Sequence, residues 1–158
     1  MTDIKLTKNM SDAEAVALVE LLFFAYRDFV SDPDHILEGL EFGRAHHRVI
    51  HFIGRAPGMT VAKLLDILQI TKQSLARVLK ELIDKGYVFQ KEGAVDRRQR
   101  LLHLTTLGEA LRQKLMAPQI ARFKNAAAET QGGNFHELLL HLISPENRLA
   151  ATEWISGK

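Results

Sequence analysis

Between Thr60 and Gly86 the chain switches twice between runs of helical periodicity and short polar breaks. Leu75, Val78, Leu79, Leu82 and Ile83 fall at i, i+3, i+4, i+7 and i+8, the single apolar stripe of a helix packed on a core. Thr71 offers a hydroxyl to the free amides at its start, and Lys85-Gly86 gives a cationic last turn followed by a left-handed stop. The opposite face keeps Lys72, Gln73, Ser74, Arg77, Lys80 and Glu81. Upstream, Thr60 caps a shorter helix over Val61 to Leu68, joined through Gln69-Ile70, so the pair reads as a helix-turn-helix. Downstream, Tyr87-Val88-Phe89 and Leu101-Leu102-His103-Leu104 are strand-like runs around a polar, glycine-containing connection ending in Asp96-Arg97-Arg98-Gln99-Arg100, a wing.

Helical patterns flank this unit. Ser11-Asp12-Ala13-Glu14 is a capping box opening a first helix that runs toward Ser31, where Asp32-Pro33-Asp34 is expected to end it. Leu18, Leu21, Leu22, Ala25 and Phe29 make one stripe on it, and Val16, Val19, Phe23, Tyr26 and Val30 an adjacent one. Two stripes need two partners, one in the same chain and one in another subunit. A second helix from about Ile36 to Arg55 packs through Phe42, Ala45, Val49, Phe52 and Ile53 until Ala56-Pro57-Gly58 breaks it. After the wing, a long helix starts near Thr105 or Thr106, with Leu107, Leu111 and Leu115 one turn apart, and is expected to bend at Pro118. Gly132-Gly133-Asn134 closes that segment. Phe135, Leu138, Leu139, Leu142 and Ile143 form a further stripe, and Ser144-Pro145 opens a final helix.

From about Gly58 to Leu111 the chain resembles the MarR family of winged-helix transcription regulators. The matching residues are Thr60-Val61-Ala62-x-Leu64, Ile70-Thr71 opening the second helix, Leu82-x-x-x-Gly86 leading into the wing, Asp96-x-Arg98 on it, and Leu104-Thr105-x-x-Gly108 at the next helix. Ser144-Pro145-Glu146-Asn147-Arg148 is similar to the start of the last helix in many relatives, while the first fifty-odd residues match only in layout. The chain departs from the pattern at Leu75-Ala76, where a valine and a threonine are common, so no hydroxyl contact is available at Ala76. Leu65 and Leu107 also differ from the usual residues, as altered packing. The resemblance implies a mainly α fold with a small β-wing, a winged helix-turn-helix flanked by N- and C-terminal dimerisation helices. On this reading residues 1–55 are N-terminal helices for dimerisation and an effector, 56–104 the helix-turn-helix and wing, and 105–158 C-terminal dimerisation helices, together one MarR-type domain.

Charge agrees with that layout. The 158 residues carry a net charge of only +2, but residues 71–100 hold eight Lys or Arg against four Asp or Glu, whereas residues 1–70 hold seven against ten. Positive charge gathers where phosphate would lie. With its N-terminal turn, capped by Thr71, toward the bases, the second helix of the motif presents Lys72, Gln73, Ser74 and Arg77 to the major groove. Gln73 suits adenine, Arg77 suits guanine or phosphate, and Lys80 with the amides near Thr71 suits phosphate alone. Beside Arg97 on the wing, Asp96 is expected to aim the Arg98 guanidinium into the minor groove by a charge-assisted pair; an ordinary exposed ion pair is the competing reading. The implied partners are a second copy of the chain and double-stranded DNA bearing a near-palindromic operator, with repression by occlusion of a promoter.

A small-molecule effector between the first two helices and the winged unit is a further expectation. It rests on Phe23, Phe24, Tyr26, Arg27, Phe42, His46, His47 and Arg48, for each of which core or dimer packing is the competing reading. His47 and His51, one turn apart, have a spacing able to chelate a metal, but no third ligand is placed beside them, and surface or interfacial roles compete. The absence of cysteine removes disulfides, thiolate zinc sites and thiol redox sensing. No nucleophile elbow, phosphate loop, dinucleotide fingerprint or carboxylate pair is present, so neither an enzyme nor a cofactor is expected. The longest apolar stretch, Ala15 to Tyr26, is interrupted by Glu20 and too short for a bilayer, and the first residues lack a signal-peptide core, so a cytoplasmic protein without a membrane partner is expected. The alternative function is a winged-helix module that binds protein and not DNA; it should lack the basic helix face and the wing arginines.

Overall fold

The computed structural model describes residues 9–129, 149 and 153. The chain divides into two compact units, residues 1–119 and 120–158. The first contains α1 (Asp12–Glu38), α2 (Arg44–Arg55), β1 (Met59–Thr60), α3 (Val61–Leu68), α4 (Lys72–Asp84), β2 (Val88–Glu92), β3 (Arg100–Leu104) and most of α5 (Thr106–Glu129). The described part of the second is the end of α5 with Leu149 and Glu153, and the predicted stripe from Phe135 and helix from Ser144 lie outside the described residues.

The helix-turn-helix forms as its caps dictate. Thr60 Oγ1 accepts from the Lys63 amide at 3.2 Å, and Thr71 Oγ1 accepts from the Ser74 amide at 3.1 Å. Gln69, in the left-handed region at φ 52°, ends α3 and makes the turn sharp. Leu75, Val78, Leu79 and Leu82 are buried as the stripe requires, on Leu64 of α3 and on Val49, Ile50 and Ile53 of α2 as parts of one core. The sheet is antiparallel in the order β1-β3-β2, with Val88 opposite Leu104 and Glu92 opposite Arg100. Its first strand, Met59–Thr60 paired with Leu102 and Leu101, is absent from the sequence expectation because two residues cannot express an alternation.

The motif Leu104-Thr105-x-x-Gly108 acquires a physical meaning. Thr105 Oγ1 donates to the Gly86 carbonyl at 2.6 Å and accepts from the Gly108 amide at 3.0 Å, so one hydroxyl starts α5 and ties it to the end of α4. Gly108 sits so close to the Tyr87 carbonyl that a Cβ there would lie 2.0 Å from its oxygen.

Helix α1 corrects the expected ending at Asp32-Pro33-Asp34. It runs unbroken to Glu38 with Pro33 inside it. Proline takes away the amide that would bond to the Phe29 carbonyl four residues earlier. That carbonyl is satisfied from outside the helix, by the side-chain amide of buried Gln119 on α5, at 3.2 Å. Substituting Gln119→Leu should leave a partly buried carbonyl without this donor and lower stability by about 1–3 kcal/mol, read as a lower urea midpoint with an unchanged slope. Helix α2 accordingly starts at Arg44 and not near Ile36, after a turn in which Glu41 takes φ 59°.

The two stripes of α1 separate along its length. Toward its C-terminus Val30, Pro33 and Leu37 are buried, whereas Val16, Val19, Leu22, Phe23 and Phe24 near its start are exposed, Phe23 at 68%. No described helix is long and apolar enough to cross a membrane.

Candidate functional site

The N-terminal turn of α4 projects from the winged unit with Lys72, Gln73, Ser74, Ala76 and Arg77 all exposed. The Thr71 hydroxyl donates to Ser74 Oγ at 2.9 Å, which leaves the Ser74 proton for an outside acceptor. Arg77 keeps 70% of its side chain exposed while leaning on Glu81, with Nη1 3.5 Å from Oε1. Lys80, one turn on, is ion-paired to Asp84. The basic face therefore splits, with Lys72 unpaired among the described residues and Lys80 already committed to a carboxylate.

On the wing, strands β2 and β3 are closed by hydrogen bonds from the Gly93 amide to the Gln99 carbonyl and from the Gln99 amide to the Asp96 carbonyl, both 3.0 Å. Asp96 corrects the expected guanidinium pair. Its Oδ1 accepts from the backbone amide of Arg98 at 2.9 Å, an Asx turn that fixes the loop and leaves the arginine side chain unheld. Arg97 and Arg98 are exposed and make no ion pair among the described residues, whereas Arg100 is 3.2 Å from Glu92 across the ladder. Exposed Arg77 on α4 and exposed Arg97 and Arg98 on the wing give two cationic projections from the winged unit.

The expected effector residues do not converge. Tyr26 and His47 line a cavity of about 300 Å³ formed by α1, α2 and α5, together with Asp34, Arg44, Arg48, His51, Phe52, Met116 and Gln119. Phe42 and His46 lie elsewhere, buried and stacked on each other with centroids 4.6 Å apart. Phe23 is exposed, and Arg27 is tied to Asp28 at 2.8 Å. Arg48 donates to the Tyr26 hydroxyl at 3.2 Å, and Arg44 grips Asp34 at 2.8 Å. Arg44 and Met116 carry no sequence signal for this cavity, whereas the one-turn spacing of His47 and His51 reflects a shared cavity wall and not a metal chelate. Among the described residues no group of three or more His, Cys, Asp or Glu could hold a metal ion.

His51 is the unusual group of this cavity, because its Nδ1 is buried with no hydrogen-bond partner among the described residues. Burial, then the neighbouring His47, Arg112 and Arg55, pushes its pKa down from 6.5 to about 4. Burial and Arg48 push His47 in the same direction. A depressed native pKa means that the unfolded chain takes up the proton first, so this contribution to stability is complete above pH 6.5 and drains as pH falls toward 4. Urea titrations across that window should show His51→Leu losing less stability than the wild type; equal slopes would refute the assignment.

Capped recognition helix, tight turn and arginine-bearing wing together define a winged helix-turn-helix protein. Residues 40–99 match the MarR family model. The HTH-type transcriptional regulator PetP of Rhodobacter capsulatus is 44% identical over 142 residues, which cover 88% of this chain and 86% of PetP. Among solved structures, Streptococcus pneumoniae FabT in complex with DNA superposes with a TM-score of 0.60 at 21% identity, covering 90% of this chain and 93% of FabT. The multiple antibiotic resistance repressor MarR gives 0.62 at 23% identity, covering 81% of this chain and 95% of MarR. The chain belongs to the MarR family, as a helix-turn-helix transcriptional regulator and not an enzyme.

Proposed function

We propose that this protein is a homodimeric, sequence-specific repressor that binds double-stranded DNA and releases it when a small molecule enters the cavity beneath α1. The observation that carries the DNA reading is the pairing state of the cations. Lys72, Arg97 and Arg98 make no ion pair among the described residues, and Arg77 keeps 70% of its side chain exposed beside Glu81. Gln73, Ser74 and Arg77 enter the major groove with Lys72 and the amides at the Thr71 cap toward its phosphates, Lys80 contributes little while Asp84 holds it, and Arg97 and Arg98 reach the minor groove and its flanking phosphates from a wing stiffened by Asp96. FabT, solved with DNA, supports this use of the fold.

Dimerisation is favoured by the bare apolar half of α1, which is larger than scattered surface residues would make it. Residues 1–55 and 105–158 serve pairing and 56–104 serves reading, all within one domain that works in the cytoplasm. Two copies present two reading helices, so the operator is a near-palindrome with half-sites about one helical turn apart. The cavity walled by Tyr26, His47 and Arg48 suits a small, partly apolar molecule with an anionic group.

Selection of bound sequences from random duplex DNA tests the reading. The wild type should enrich a near-palindrome. Arg77→Ala should lose preference at one position per half-site, corresponding to about 1–3 kcal/mol of discrimination, and Arg98→Ala should lose affinity. Undiminished, equally selective binding by both variants would remove the site assignment.

A further inference from the structure

Glu81 stands one turn beyond Arg77 on the reading helix, and its two oxygens point in different directions. Oε1 faces Arg77 Nη1 at 3.5 Å, and Oε2 lies 2.6 Å from Nε2 of His46 on α2. The imidazole is held at every edge. His46 is 5% exposed, stacks on Phe42, and its Nδ1 accepts from the Gly43 amide at 3.0 Å. With Nδ1 an acceptor, the ring hydrogen sits on Nε2 and is donated to the Glu81 carboxylate. A buried ring that cannot turn thus fixes a carboxylate that would otherwise sample several rotamers.

We infer that His46 and Glu81 are positioning residues for Arg77, so that the base selected in the major groove depends on a histidine that never meets DNA. The inference rests on the reading that Arg77 faces a base. Bidentate recognition needs the guanidinium plane in one orientation, and a long side chain loses conformational freedom in adopting it. The anchored carboxylate restricts that freedom before DNA arrives. It also places a negative charge on the reading face, which disfavours phosphate and weakens binding to duplexes that offer Arg77 no base in compensation. The role is therefore in discrimination and not in affinity.

Binding of the full chain is measured by fluorescence anisotropy on a duplex recovered from random-sequence selection and on a scrambled duplex of equal length. The ratio of the two dissociation constants is the readout. In Glu81→Gln the scrambled duplex should bind more tightly and the ratio fall about 3- to 10-fold, part of what a whole bidentate contact supplies. His46→Asn keeps an acceptor for the Gly43 amide but cannot reach Glu81, and should lower the ratio as Glu81→Gln does. His46→Gln retains a donor long enough to reach the carboxylate and should restore it. In an Arg77→Ala background neither Glu81→Gln nor His46→Asn should change the ratio further.

An unchanged ratio in Glu81→Gln, or a fall that adds to that of Arg77→Ala, overturns the inference. If His46→Asn melts below the assay temperature, Glu81→Gln alone and combined with Arg77→Ala decides, since Glu81 is part-exposed. A wild-type ratio of one refutes the DNA-reading function itself, whereas a high ratio indifferent to Glu81 refutes only the positioning role.

Discussion

Gly108→Ala should cost about 3 kcal/mol or more, enough to remove much of the stability of a domain this size. The added Cβ would stand 2.0 Å from the Tyr87 carbonyl oxygen, 3.0 Å from its carbon and 3.3 Å from Leu104 Cβ. None of these is the far end of a flexible side chain. The carbonyl is held by the Thr105 amide at 3.0 Å, and the Tyr87 amide is held by the Leu82 carbonyl at 2.8 Å, so retreat would pull at the junction of α4, β2 and α5 together. Gly43→Ala is the matched control. Its backbone is at φ −114° and nothing lies within 4 Å of the added carbon, so the unfolded-state gain of Gly→Ala and the poorer N-cap that alanine makes for α2 should largely offset, leaving stability within about 1 kcal/mol of the wild type. Urea denaturation of the two variants side by side is the measurement; equal midpoints would show that the Tyr87 contact can relax freely.

Raising salt from 50 to 200 mM should weaken operator binding about 10³-fold. The magnitude follows from counterion release at about six phosphates per dimer, three cations from each copy, with a log–log slope near −5. On the proposed reading those cations are Lys72, Arg97 and Arg98, each exposed and without an ion pair among the described residues. Arg98→Ala should make the slope shallower by about 2, and its combination with Arg97→Ala by about 4. Lys80→Ala should change it far less, since Lys80 is already paired with Asp84. Salt titrations of wild type and variants decide this, and a flat wild-type response would contradict phosphate binding by these residues.

How much of this was legible in the sequence depended on how local the determining forces are. The caps at Ser11, Thr60 and Thr71, the α4 stripe and the Leu104-Thr105-x-x-Gly108 junction all act within a few residues, and each formed as read. Pro33 does not end α1 because the rule for proline counts only bonds inside its own helix, whereas a donor to the Phe29 carbonyl sits on α5. The place of His46 outside the effector cavity is not legible in the sequence because its partner, Glu81, is 35 residues away. Asp96 was different, since an aspartate two residues before an amide already signals an Asx turn, and the ion-pair reading passed over a shorter-range bond. Strand β1 was too brief to announce itself and exists because β3 offers it an edge.

The amide that Gln119 lends to Phe29 crosses 90 residues of chain. A peptide spanning α1 alone would lack this donor beside Pro33 and should be less helical there, while α2 through α4, bound by nearer contacts, assemble first. Completion of the first helix then belongs among the last events of folding, when the fifth arrives to close its gap.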